Sequence, residues 1–384
     1  MIQCNTTEIT KPGFSGSYSP SDCVFLLKLL SGAEAQALEV TDLAKQEKDI
    51  QSGVAPYWTR VSREKAPSDE FLTLYRQALN ANKARFATNL ASMVKQLLAT
   101  HTDAITIVSL ARAGTPVGVL LKRALVECGL VDSIHYSVSI VRDKTIGLDE
   151  NALAYICRQH DPESIIFVDG WTGKGGMTLQ LEHSVDRFNL KHGTKVSSNL
   201  YVVSDLAGYA FCSGDYADYL LPFAMFNGII SGLVSRTIYN STVTSATDFH
   251  AAYLLEHLRS YDLSCSFIEE IWQELRPLLK NLGTVAEANI CGCEAPRRQE
   301  LSKRTIALLL QRFEIADADL VKVGIGESTR AMSRRLPKAL VVPDRLDADV
   351  QHLLKMAEQR GVTVVRDIPL YSGKAAVIVA SANQ

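Results

Sequence analysis

Apolar and polar positions along this chain follow two rhythms. Short runs rich in β-branched and aliphatic residues predict buried strands at 104–110, 133–141, 165–168 (Ile165-Ile166-Phe167-Val168), 196–204 and 218–223. Between them apolar residues recur at helical spacing, over 117–126 and from Met177 through Leu179, Leu181 and Val185. Upstream, Ser19-Pro20-Ser21-Asp22 reads as a helix start, followed by Val24, Phe25, Leu26, Leu27, Leu29 and Leu30. Further helices are expected from Pro67-Ser68 through Tyr75 and over 86–98. The polar stretch 145–151 reads as a mobile loop. Residues 226–238 carry Gly, Ser and Asn, and two helices are expected over 249–260 and 266–281. After a linker at 286–300, helix and strand alternate again from 305 to 380. Strands separated by helices predict an α/β fold with a mostly parallel sheet and a site at the strand C-termini. The predicted division is a body over 1–285 and a small α/β module over 301–384.

Composition narrows the class. The chain has 384 residues, 47% hydrophobic and 21% charged, with a formal net charge of −2, as in ordinary soluble proteins. The charge is uneven: residues 297–384 hold 15 Lys/Arg against 10 Asp/Glu, leaving the rest at −7. A basic tail on an acidic body points to a polyanion partner for the tail. No apolar run approaches the length of a membrane span, and the N-terminus lacks the pattern of a signal peptide. The eight cysteines show no framework spacing. The expectation is a cytoplasmic protein with reduced thiols.

The chemistry gathers at Asp169-Gly170-Trp171-Thr172-Gly173-Lys174-Gly175-Gly176-Met177. A strand, a glycine-rich turn and a helix N-terminus make an anion site, because free N–H groups and the helix dipole favour a phosphate. An acid before such a turn can hold ribose hydroxyls. The spacing does not fit a P-loop, since Gly170 stands only three residues before Gly173-Lys174 and Gly175 follows the lysine. The reading is a site for a phosphorylated ribose, with a plain structural turn as the alternative. A second strand–turn–helix unit carries Ala111-Arg112-Ala113-Gly114-Thr115-Pro116.

Residues 165–177 resemble the 5-phosphate loop of type I phosphoribosyltransferases, and Ser109 to Pro116 resemble their pyrophosphate loop. Within that superfamily the chain resembles the phosphoribosyltransferase-like proteins of bacterial tellurite and stress-response operons. This family is also known as the StiP cysteine proteases and carries a C-terminal Pelota-type RNA-binding domain. Ser15-Gly16-Ser17-Tyr18, Ser231-Gly232-Leu233-Val234-Ser235-Arg236-Thr237 and Asp248-Phe249-His250 look like its motifs. Gly170 stands where many members carry a second acid, and Lys174 where Thr is usual.

The resemblance implies transfer of phosphoribosyl from phosphoribosyl pyrophosphate to a base-like acceptor, in a stress-linked nucleoside pathway, with Mg²⁺ bridging the pyrophosphate. Asp169 would hold the ribose. Ala111, Arg112, Ala113, Gly114 and Thr115, with Arg142 or Lys144, would hold the leaving group. Thr172, Gly173, Lys174, Gly175 and Gly176 would hold the 5-phosphate, and Arg236 would cover the acceptor or pyrophosphate. Ion pairing or solvation of these cations is the alternative. A homo-oligomer without membrane contact is expected.

In the tail, Lys322-Val323-Gly324-Ile325-Gly326-Glu327-Ser328-Thr329-Arg330 resembles the RNA-gripping stretch of kink-turn-binding and Pelota-type domains. The resemblance implies structured RNA as partner, met by Gly324, Gly326, Glu327, Arg330, Arg334 and Arg335. A solvated charged helix is the alternative.

Two other function classes stay open. A cysteine peptidase would need a Cys–His pair that meets in space, for which Cys23 in a helix first turn and His250 are the candidates. A non-catalytic ribonucleotide sensor or RNA adaptor would bind without turnover. Cys291-Gly292-Cys293 lacks a second ligand pair at zinc spacing.

Overall fold

The computed structural model of the chain describes residues 13–40, 43–52, 54–290, 292 and 294–380. The body begins with strands β1 (Val24–Leu26) and β2 (Lys28–Leu29), helix α1 (Gly32–Ala37), β3 (Glu39–Val40), α2 (Leu43–Gln51) and β4 (Val61–Ser62). It continues with the long helix α3 (Asp69–Thr100), β5 (Thr106–Ala111), α4 (Thr115–Glu127), β6 (Ile134–Ser139) and α5 (Glu150–Gln159). Then come β7 (Ile165–Trp171), α6 (Gly176–His192), β8 (Leu200–Ser204), β9 (Cys212–Asp215), β10 (Ala251–Ala252) and α7 (Ser264–Leu279). β11 (Asn289–Ile290) and α8 (Glu294–Arg312) lead into β12 (Val321–Val323), α9 (Ile325–Arg334), β13 (Pro337–Val341), α10 (Gln351–Gln359), β14 (Thr363–Val365) and β15 (Ala376–Val379).

Seven strands form the main sheet in the order β1-β6-β5-β7-β8-β9-β11. All neighbours are parallel except β11, which runs antiparallel to β9. Alternating residues of each central strand feed two layers: Ile107, Ile166 and Val168 join the core under α3, α4 and α7. Val108, Ile165 and Phe167 join the core under α5 and α6. Burial on both faces explains why these strands read as continuous apolar runs. The C-terminal unit has its own sheet, in the order β12-β15-β13-β14. Its residues Leu320, Ile325, Ala331, Met332 and Leu340 belong to the same apolar cluster as Phe223 and Val168 of the body. α9 lies over the C-terminal ends of the body strands. The fold is therefore mixed α/β, with a mostly parallel central sheet and a C-terminal α/β unit.

Several elements differ from expectation. Residues 19–30 form β1 and β2 after a turn, not a helix. The reason is a period of two: Cys23, Phe25 and Leu27 face one core while Val24 and Leu26 face the other. The two helices expected between 67 and 98 are one 32-residue helix, α3, capped by Ser68. The last parallel strand is β9 at 212–215 rather than 218–223. The apolar run Tyr219 to Phe226 is instead a buried irregular plug, with Phe223 against Phe86, Trp171 and Phe267. Residues 251–252 pair with β2 instead of opening a helix. The stretch at 145–151 is held in place: Asp143 Oδ1 accepts from the Thr145 and Ile146 N–H groups, and Asp149 caps α5. Arg187 donates to the carbonyls of Lys144, Thr145 and Ile146. Helix α8 begins inside the expected linker, and Cys291 and Cys293 lie outside the described residues.

Candidate functional site

β7 delivers Asp169 to the rim of the sheet, and the β5–α4 turn closes beside it. A Cβ on Gly114 would stand 2.3 Å from Val168 O and 3.1 Å from Asp169 Cα, so this turn needs glycine. Asp169 accepts the Gly170 N–H at 2.7 Å. Burial pushes its carboxyl up to about 7 against the pull of that hydrogen bond and of Arg330. At neutral pH it is an acid that can hold or give a proton.

The glycine-rich turn itself is occupied by protein. The space beside Gly175 is filled by the Tyr209 ring and that beside Gly176 by the Arg142 guanidinium, while Glu327 covers Gly173. Thr172 donates to Asp205, which also accepts the Tyr209 and Ala210 N–H groups. Lys174 donates to Ala318 O and, with Arg142 (3.0 Å), approaches Asp319 at 3.4 Å. The side chains of Thr172 and Lys174 are thus spent on internal contacts. Lys144 is exposed. Gly170 has a steric cause, because a Cβ there would lie 2.7 Å from Phe223 Cζ.

α9 supplies the other wall. Trp171 Nε1 donates to Glu327 Oε1 at 3.3 Å, Gly326 packs on the indole, and Arg330 lies 4.5 Å over its ring. Burial alone would raise Glu327, but Lys322 and Arg330 hold it below its ordinary value. Asp218, near the end of the sheet, accepts Ile325 N at 2.8 Å and Lys374 N at 2.7 Å. Burial raises its carboxyl to about 6. Gly324 backs onto Asp218 and Leu206. Of the six residues expected to face RNA, Gly324, Gly326, Glu327 and Arg330 therefore face the body. Arg334 is exposed and Arg335 half-buried.

Two further body arginines approach the rim. Arg112 pairs with Glu64 at 2.5 Å and donates to Val234 O at 2.8 Å. Arg236 donates to Arg60 O at 2.7 Å beside the Tyr57 ring. The turn residues Ala111, Ala113 and Thr115 shape this edge, with Thr115 hydrogen-bonded to Ser137. Sequence reasoning missed Glu64, Asp218 and Asp319, which reach Arg112, α9 and Lys174 from distant parts of the chain.

The thiols lie elsewhere. Cys23 is sealed at 1% exposure, and burial then Asp22 push its thiol well up. It precedes β1, whereas His250 bonds through its carbonyl to Lys28 beyond the other end of that strand. At about 3.3 Å per strand residue, the two stand on the order of 10–15 Å apart. His250 is buried and shares hydrogen bonds with Ser139 Oγ (2.8 Å) and, through its N–H, with Asp149 (2.5 Å). Burial holds its ring neutral. His135 is likewise buried between Ser109 Oγ and Asp22 O.

Cys265 is different. It is exposed in the first turn of the 16-residue α7, and its S–H donates to Ser17 O at 3.2 Å. Around it two sequence motifs meet: Ser17 N–H donates to Gly232 O, Gly16 abuts Gly232, and Gly232 N–H donates to Ser264 Oγ. Burial, then Asp262, raise the thiol above its ordinary value. Among the described residues no group of His, Cys, Asp and Glu is placed to hold a metal ion, and no helix is long and apolar enough to cross a membrane.

Comparison with known proteins decides the family. Residues 16–272 match the family described as "Tellurite-like stress resistance cysteine protease StiP". A protein of Acinetobacter baylyi called "Cysteine protease StiP" is 34% identical over 361 residues, covering 92% of this chain and 90% of its own length. The chain belongs to the StiP family. Residues 300–380 match the PELOTA RNA binding domain. The family membership overturns phosphoribosyl transfer as the expected activity, and with it phosphoribosyl pyrophosphate as substrate and the reason for Mg²⁺. Tyr209, Arg142 and Glu327 stand where Cβ atoms on Gly175, Gly176 and Gly173 would lie, so close packing accounts for the glycines of this turn. The chain thus has a strand–turn–helix rim of charged groups and, 90 residues and more downstream, an exposed helix-start cysteine.

Proposed function

We propose that this chain is a thiol-dependent peptidase acting in tellurite-like stress resistance. The observation that carries this reading is its similarity to the A. baylyi protease along nearly the full length of both chains. We assign the nucleophile to Cys265. It is the exposed thiol among the described cysteines, it stands in the first turn of a 16-residue helix, and it lies where Ser15–Tyr18 and the Ser231–Thr237 segment meet. Cys23 and Cys212 are sealed, and Cys157 and Cys212 are pushed up by burial to about 11 and 12. At rest the contact with Ser17 O keeps the Cys265 proton in place.

The test is cleavage of an unfolded protein such as casein by wild type, Cys265→Ser and Cys23→Ser, with and without iodoacetamide. Loss of cleavage in Cys265→Ser alone supports the assignment. Cleavage that survives in a variant lacking all eight cysteines overturns the thiol-dependent mechanism, and absence of cleavage by wild type overturns the peptidase reading.

For the C-terminal unit we propose RNA binding, on the strength of its PELOTA match. Gly326, Glu327 and Arg330 rest on Trp171, so RNA contact at those residues requires α9 to lift from the body, while Arg334 is open to a partner as the chain stands.

A further inference from the structure

Four arginines converge where β5 and β7 end beneath α9. Arg112 and Arg236 come from the body, Arg330 and Arg334 from the C-terminal unit. Arg112 is satisfied by Glu64 and Val234 O. The others are not. The Nε groups of Arg236 and Arg330 are buried without a hydrogen-bond partner. Arg334 is exposed and makes no hydrogen bond or ion pair among the described residues. Buried donors in folded proteins are ordinarily paired, so two unpaired guanidinium nitrogens, each near Arg112 and Glu64, mark a missing acceptor.

Charge points the same way. Burial depresses Arg236 and Arg330, and Arg112 beside them lowers both further. The acids that face them are Glu64, already held by Arg112, Glu327, held by Trp171 and Lys322, and Asp169, poised near neutral pH. The cluster thus carries surplus positive charge with planar donor forks, which suit phosphate and carboxylate oxygens.

We propose that this arginine cluster binds a small anion carrying at least two negative charges, of phosphate or carboxylate type, gripped from the body by Arg112 and Arg236 and from α9 by Arg330 and Arg334. The ligand bridges the two units and so tightens their contact. The proposal stands without the peptidase reading.

The test is calorimetric titration of the full chain with inorganic phosphate and, in parallel, with citrate, together with thermal unfolding at millimolar ligand. Saturable binding of at least one anion is expected, with a raised Tm. Binding should weaken about tenfold in Arg334→Gln, an exposed side chain whose loss leaves the fold intact, and also in Arg330→Lys, which keeps the charge but loses the fork. Arg312→Gln, at the end of α8 and paired with Asp367, should bind as wild type does. Phosphate binding with no response to citrate assigns a phosphate ligand, and the reverse a carboxylate. Absence of saturable binding of both anions, or equal binding by wild type and Arg334→Gln, overturns the proposal.

Discussion

At the scale of single residues, the rim is governed by burial against charge. Asp169 has a folded-state value near 7, well above an unfolded carboxyl near 3.9. The folded chain therefore binds more protons at this residue than the unfolded chain between those values. The stability this residue contributes is fully present below about pH 4 and is lost as pH rises through about 7. Asp218, raised to about 6, acts in the same direction over a narrower window. Asp169→Asn removes the titration but keeps the shape. Urea unfolding of wild type and Asp169→Asn across pH 4–7 should show a smaller loss of stability with rising pH in the variant. Parallel curves would mean that Asp169 is solvated. At the same scale, Cys265 was legible only as one of eight cysteines. Its exposure and its place beside Ser17 and Gly232 come from contacts across more than 200 residues of sequence, which no local pattern carries.

At the scale of elements, the turn after β7 shows why a motif is not yet a site. Its glycines follow from close packing: Phe223 meets Gly170, Tyr209 meets Gly175, and Arg142 covers Gly176. Gly170→Ala should therefore cost about 1–3 kcal/mol by overpacking against Phe223, read as a lower midpoint in thermal unfolding. An unchanged midpoint would show that the plug at Phe223 yields freely. The strands of the parallel sheet were legible from their apolar runs, because burial on both faces leaves no other pattern. β1 and β9 were not. β1 is too short for its period of two to outweigh the helix-start signal before it, and β9 reads Cys-Ser-Gly-Asp, with too little apolar content to announce a strand.

At the scale of the whole molecule, the two units share one apolar cluster and a polar seam of Asp218, Trp171 and Glu327. One cooperative unfolding transition is expected. Asp218→Ala leaves the N–H groups of Ile325 and Lys374 without their acceptor, at a cost of about 1–3 kcal/mol each where they stay dry. Calorimetry of Asp218→Ala should show a lower first transition, with the C-terminal unit melting apart from the body. A single undisplaced transition would show that the apolar contact alone joins them.

The amino-acid sequence by itself determined the class of fold, the central strands, the existence of a distinct C-terminal unit and the family motifs. These depend on local periodicity and on short stretches of consecutive residues. Only the tertiary structure decided what those stretches do. It filled the glycine-rich turn with Tyr209, Arg142 and Glu327, separated Cys23 from His250, set Cys265 at the meeting of two distant loops, and turned the face of α9 toward Trp171. Each of these outcomes rests on contacts between segments remote in the chain, and the free energy that selects them, burial of apolar surface and pairing of buried charge, is a property of the packed molecule.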